Sequence, residues 1–152
     1  NTFDNTLGVL YLWDGSWRGH YWNGTVDPGT YYLEHPMNVK GTAVMACGQY
    51  RGAYEIGTHR GKRALIQTGP VSVFRDYNRD KTIDRQGQPE SGLFACNLHR
   101  AGKASKFVNR WSAGCQVWAE EKDFEEFLDI CYKQISLTGF KTFTYTLMNQ
   151  WW

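Results

Sequence analysis

Two side chains in the middle of the sequence have the types and spacing that thiol chemistry needs. Cys115 stands in Trp111-Ser112-Ala113-Gly114-Cys115-Gln116-Val117, and His99 closes the preceding stretch Gly92-Leu93-Phe94-Ala95-Cys96-Asn97-Leu98. The thiolate, not the thiol, is the nucleophile, so a nearby imidazole or a helix N-terminus must lower the cysteine's pKa. His99 is the candidate imidazole, and a helical pattern starting at about Ala119-Glu120 is a candidate dipole. Gly114 lets backbone approach a substrate carbonyl, where N–H groups around Cys115 can form an oxyanion hole. Ser112 is placed to orient His99 or the substrate. Trp111, Gln116 and Arg100 flank the pair and are candidate substrate contacts.

The elements that must position this pair are read from hydrophobic period and turn residues. Residues 7–13 are expected as a buried strand ended by Asp14-Gly15. Residues 16–24, dense in rings, read as a hairpin arm or a sugar-stacking surface. Asp27-Pro28-Gly29 marks a turn, residues 30–34 a strand, and His35, before Pro36, an extended loop. Further strands are expected at 41–46, 51–56, 64–67, 71–74 and 93–99. His59 is a second candidate histidine for catalysis or substrate binding. The run Arg60-Gly61-Lys62-Arg63 reads as a solvated turn that can steer an anionic polymer. The basic loop 100–106 is either a lid beside the thiol or a plain connector. Phe124, Phe127, Leu128, Cys131 and Ile135 recur at three- and four-residue spacing with acids ahead of them. That predicts a core-facing helix of roughly fifteen residues stopping near Thr138-Gly139. Residues 141–147 alternate with period two, a closing half-buried strand. The fold expected is a single mainly β domain, 1–152, with one principal helix.

A histidine ending a short strand, twelve intervening residues and then Ser112-Ala113-Gly114-Cys115 resembles the catalytic signature of the L,D-transpeptidase domain. The resemblance covers about 41–149, with strands before His99 and a helix and final strand after Cys115. It implies a curved β-sandwich, with Cys115 as nucleophile, His99 as general base, and Ser112 and Gly114 as the turn around the thiol. The implied substrate is a peptidoglycan stem peptide, attacked after its third residue through a thioester acyl-enzyme, with no cofactor required. The implied location is the cell envelope, in the periplasm or wall. The chain departs from the family at Ala113, where a histidine is usual, and at Gln116-Val117, where arginine or asparagine is frequent. Hydrolysis by the same Cys/His pair, as in a carboxypeptidase, endopeptidase, lysin or toxin domain, therefore stands beside transpeptidation.

A second stretch, Asp76-Tyr77-Asn78-Arg79-Asp80-Lys81-Thr82-Ile83-Asp84, sets oxygen side chains at alternate positions, as the first half of an EF-hand calcium loop does. Asp76, Asn78, Asp80 and Asp84 are the candidate calcium ligands. Lys81 replaces the glycine of position six, and Gly87 the glutamate of position twelve, with Glu90 nearby. The other reading is a charged turn neutralised by Arg75, Arg79, Lys81 and Arg85.

Composition bounds the remaining choices. At 152 residues the chain builds one core, and a net charge of +2 gives no reason to expect a nucleic-acid partner. No run reaches the roughly 18 apolar residues of a membrane helix. Asn1 at the start is what a processed product or excised domain would show. Cys47, Cys96, Cys115 and Cys131 form no CxxC pair and no disulfide framework. Two other classes stay open: a non-catalytic glycan-binding module using the aromatic N-terminal third, and a zinc hydrolase drawing on His20, His35, His59 or His99, which no HExxH spacing supports.

Overall fold

The computed structural model describes residues 1–103 and 105–149. Along them run β1 (Asn5–Trp13), β2 (Ser16–Thr25), α1 (Thr30–Glu34), β3 (Thr42–Met45), β4 (Gly48–His59), β5 (Lys62–Gln67), β6 (Val71–Asp76), β7 (Glu90–Gly92), β8 (Leu98–Arg100), β9 (Gln116–Trp118), α2 (Glu121–Thr138) and β10 (Thr142–Leu147). One sheet has the order β1-β2-β9-β8-β5-β4-β10, and a second the order β3-β6-β7. Ala43, Met45, Val71 and Val73 of the small sheet share a core with Tyr50, Ala53, Tyr54 and Leu65 of the large one. The fold is therefore mainly β and sandwich-like, with one principal helix, as the sequence predicts.

Two tight hairpins follow from turn chemistry. Asp14 and Gly15 (φ 50° and 70°) join β1 to β2, and Arg60 and Gly61 (φ 50° and 75°) join β4 to β5. Left-handed φ at both central residues is the turn that matches strand twist. The second hairpin fixes His59 as the last residue of β4.

Four expectations are corrected. Residues 7–13 are not a buried strand: only Leu7 of β1 is buried, because β1 is the sheet edge. Leu10, Leu12, Trp17 and Tyr21 are exposed on the β1–β2 hairpin. The segment expected as a strand at 30–34 is the short helix α1, despite its β-favouring Tyr31-Tyr32 pair. Its position is set by neighbours: the N–H of Gly29 donates to the Ser112 carbonyl at 2.9 Å, and the Thr42 hydroxyl donates to the Tyr32 carbonyl. Residues 93–99 are not one strand either. Ala95 takes φ 56°, and the Gln67 side chain accepts from the N–H groups of Phe94 and Cys96, both at 3.0 Å. A side-chain amide there replaces a partner strand.

The fourth correction concerns the helix. α2 begins at Glu121, with β9 lying between it and Cys115. Five residues separate thiol and helix, mostly extended at about 3.3 Å each, whereas the dipole effect fades within a turn. The helix N-terminus therefore does not serve the thiol. Instead α2 closes the core: Phe124, Phe127, Leu128 and Cys131 are buried, and Trp118 of β9 stacks on Phe127 at 4.6 Å between centroids. Each such apolar side chain contributes roughly 1.5–3 kcal/mol. Gly139, at φ 74°, ends the helix with its N–H on the Ile135 carbonyl.

Candidate active site

Strand register brings the pair together. β8 and β9 are parallel, with Leu98 opposite Gln116 and His99 opposite Val117. Cys115, one residue before β9, is therefore level with Asn97, one residue before β8. The N–H of Gln116 donates to the Asn97 carbonyl at 2.9 Å, and the N–H of Asn97 faces the Cys115 sulfur. β5 separates β8 from β4, and the end of β4 swings His59 onto His99: the two imidazoles stack at 4.7 Å with planes 18° apart. One nitrogen of His59, one of His99 and the Sγ of Cys115 all lie within 4.8 Å of one another.

The turn that presents the thiol is built from small residues with no slack. Gly114 has φ 120°, and a Cβ there would meet the Ala43 carbonyl oxygen at 2.6 Å. Ser112 is fully buried; its hydroxyl donates to the Cys115 carbonyl at 2.8 Å and accepts from the Gly114 N–H at 3.2 Å. Ser112 thus holds the turn, and among the described residues its hydroxyl makes no hydrogen bond to His99. Gly114's N–H is occupied by that bond, and of the two candidate oxyanion donors it is the N–H of Cys115 that has no hydrogen-bond partner among the described residues.

Hydrogen-bond partners fix the imidazole tautomers. His99 Nδ1 lies 3.0 Å from the Arg100 carbonyl, which only accepts, so Nδ1 carries the proton and Nε2 the lone pair. That Nε2 is buried without a partner among the described residues. Asn97 Oδ1 accepts the Gln67 N–H at 2.9 Å, so its amide nitrogen must donate to His59 Nδ1 at 3.1 Å. Neutral His59 then carries its proton on Nε2.

Burial dominates the charge states. His99 is pushed down from 6.5 to about 4, mainly by desolvation, with His59, Arg60 and Arg100 adding to the shift against its bond to the Arg100 carbonyl. His59 is lowered by burial and by Arg60. The Cys115 thiol is pushed up to about 11 by burial, against the Asn97 N–H and Arg60. The expectation of a thiol lowered by its surroundings is therefore corrected: the site rests as thiol and neutral imidazole.

A cleft of about 810 Å³ opens on Cys115, His59, Asn97 and Ala95, with Trp111 and Arg60 on its walls. Arg75 and Arg110 also line it, and no carboxylate does among its described lining residues. Arg75 pairs with Glu90 at 3.3 Å, and Arg110 stacks over Tyr31. Arg60 has no ion-pair partner among the described residues.

Of the expected site residues, Cys115, His99 and His59 converge and Trp111 lines the cleft. Gln116 does not reach it: wholly buried, it donates to the Gly114 carbonyl at 3.1 Å and accepts from the Tyr145 hydroxyl at 3.0 Å, bracing the turn from behind. Arg100 turns away to Glu121 of α2 at 2.7 Å and serves the site through its carbonyl. In the loop 100–106, Ala104 lies outside the described residues, and Gly102 packs against the Trp111 ring. Arg60, expected in a basic turn that can steer an anionic polymer, lies on the cleft wall. Asn97 is not among the expected site residues, and a lone Asn inside Phe94-Ala95-Cys96-Asn97-Leu98 is the signal that could have marked it.

The chain matches no family model, no curated protein and no solved structure.

Proposed function

We propose that the chain is a cysteine-dependent acyl-transfer enzyme of the cell envelope that acts on peptidoglycan stem peptides. The observation carrying the chemistry is the convergence of Cys115, His99 and His59, with Cys115 and His59 on the cleft wall and His99 buried behind them. The motif resemblance to L,D-transpeptidases supplies the substrate class. As a carbonyl enters, the Cys115 proton passes to the free Nε2 of His99 while sulfur bonds to the carbonyl carbon. The N–H of Cys115 is placed to donate to the oxyanion. Collapse breaks the C–N bond, the His99 proton goes to the leaving D-amino acid, and a thioester remains. An amine or a water molecule then releases the acyl group, giving a cross-link or a shortened stem. Arg60, lacking an internal carboxylate, is placed to pair with the substrate's carboxylate.

A second reading rests on the same trio, since two imidazoles and a thiolate can hold zinc with an open position for water. The stack weighs against it: planes only 18° apart must rotate before both nitrogens reach one ion at about 2.0–2.1 Å.

The test is incubation with a muropeptide pool, wild type beside Cys115→Ala, with metal content measured on the purified protein. Shortened or joined stems that vanish in the variant and survive EDTA support the thiol mechanism. Stoichiometric zinc with EDTA-sensitive cleavage replaces it by the second reading. Unchanged muropeptides refute both, and turn attention to the exposed aromatic hairpin as a binding surface.

A further inference from the structure

The loop after β6 lies outside the thiol site, and its charge is unbalanced. Asp76, Asp80 and Asp84 form no ion pair among the described residues. Three of the four bases that could have neutralised them point elsewhere: Lys81 to Glu34 at 3.7 Å, Arg85 to Asp27 at 2.5 Å, and Arg75 to Glu90 at 3.3 Å; Arg79 makes no ion pair among the described residues. Glu90 also meets Lys40, so it is committed away from the loop. Within the loop, the Asn78 amide nitrogen donates to Asp80 at 3.0 Å and to Asp84 at 2.8 Å, occupying with its partial positive charge the space between two carboxylates.

The independent observation is Asp76 itself. It is 0% exposed; its Oδ2 accepts the Asp84 N–H at 2.9 Å, while Oδ1 is buried with no hydrogen-bond partner among the described residues. A buried carboxylate oxygen left without donor or cation costs free energy that proteins ordinarily avoid.

We propose that the loop Asp76–Asp84 is a calcium site, with the side chains of Asp76, Asn78, Asp80 and Asp84 and the carbonyl of Thr82 as ligands. Hard oxygen donors at positions one, three, five, seven and nine suit calcium, and Asn78 turns its oxygen inward when the ion takes the place of its amide nitrogen. Gly87 at position twelve supplies no bidentate carboxylate, so affinity falls in the weak class of extracellular modules, with Kd on the order of 0.1–1 mM. The ion also braces the thiol cleft: Asp76 is paired with Thr42 of β3, and the neighbouring Ala43 backs Gly114.

The probe is calcium chloride added to the chelator-treated chain, read by thermal melting, with terbium luminescence sensitised through Tyr77 as a direct binding signal. At calcium a hundred times Kd the melting temperature rises by about 5–10 °C. Magnesium at the same concentration gives less than half that shift. Asp80→Ala, at an exposed position, removes a ligand oxygen and abolishes the calcium shift and the terbium signal. An unchanged melting temperature in 20 mM calcium overturns the site, as does an equal shift with magnesium or in Asp80→Ala. Neither readout depends on acyl transfer, so failure here and failure of the enzymatic reading are separate results.

Discussion

His99 gives the most quantitative expectation. Its imidazole titrates near 6.5 in the unfolded chain and near 4 in the fold. The folded state therefore resists a proton that the unfolded state accepts. Stability is complete above pH 6.5, declines as pH falls through the interval, and levels off below 4. The full interval of 2.5 units is worth about 3.4 kcal/mol, and about 2.5 kcal/mol of it falls between pH 7.5 and 4.5. About a sixth to a half of a typical domain's stability is at stake. Urea unfolding of wild type and His99→Gln at both pH values isolates the effect, because carboxylates and His59 titrate in both proteins. The wild type should lose about 2.5 kcal/mol more than the variant on acidification. Parallel losses would refute the placement of a neutral, desolvated imidazole at this site.

Three further outcomes follow from the geometry. Gly114→Ala combines a left-handed φ with a backbone clash against Ala43 and should cost about 2–5 kcal/mol, lowering the melting temperature by about 5–15 °C; a melt within 2 °C of wild type contradicts the packing described. Asn97→Asp retains an acceptor for Gln67 but sets a carboxylate against His59, so the His59 pKa should rise by one unit or more in an NMR titration. Arg60→Ala should raise KM for a stem tetrapeptide roughly tenfold or more with kcat little changed, and Arg60→Lys should recover part of it; an unaltered KM removes Arg60 from substrate binding.

Local patterns in the sequence carried the elements whose stability is local. The three- and four-residue recurrence from Phe124 to Ile135 and the alternation around Phe143 and Tyr145 gave α2 and β10, and Asp14-Gly15 gave a hairpin turn. What stayed hidden depends on distant partners. α1 forms where Tyr31-Tyr32 would favour a strand, because Ser112 and Thr42 hold its backbone from elsewhere in the chain. The break at Ala95 depends on Gln67, 27 and 29 residues from the N–H groups it accepts. The same holds at the site. Cys115 and His99 were legible as types at a spacing, whereas the His59–His99 stack requires the strand order β8-β5-β4, which no local signal states. The charge states reversed the expected direction because burial, a property of the whole fold, outweighs neighbouring charges at the thiol.

The central claim is that Cys115 forms a covalent acyl intermediate with His99 as its base. Intact-mass measurement after rapid acid quench, using a disaccharide tetrapeptide with wild type, Cys115→Ala and His99→Gln, tests it most directly. The account predicts a mass increase equal to the substrate less its terminal D-amino acid. Peptide mapping should place it on Cys115. It should be absent in Cys115→Ala and form at least a hundredfold more slowly in His99→Gln. Turnover of the same substrate with no adduct in wild type, or with full activity in Cys115→Ala, would contradict it.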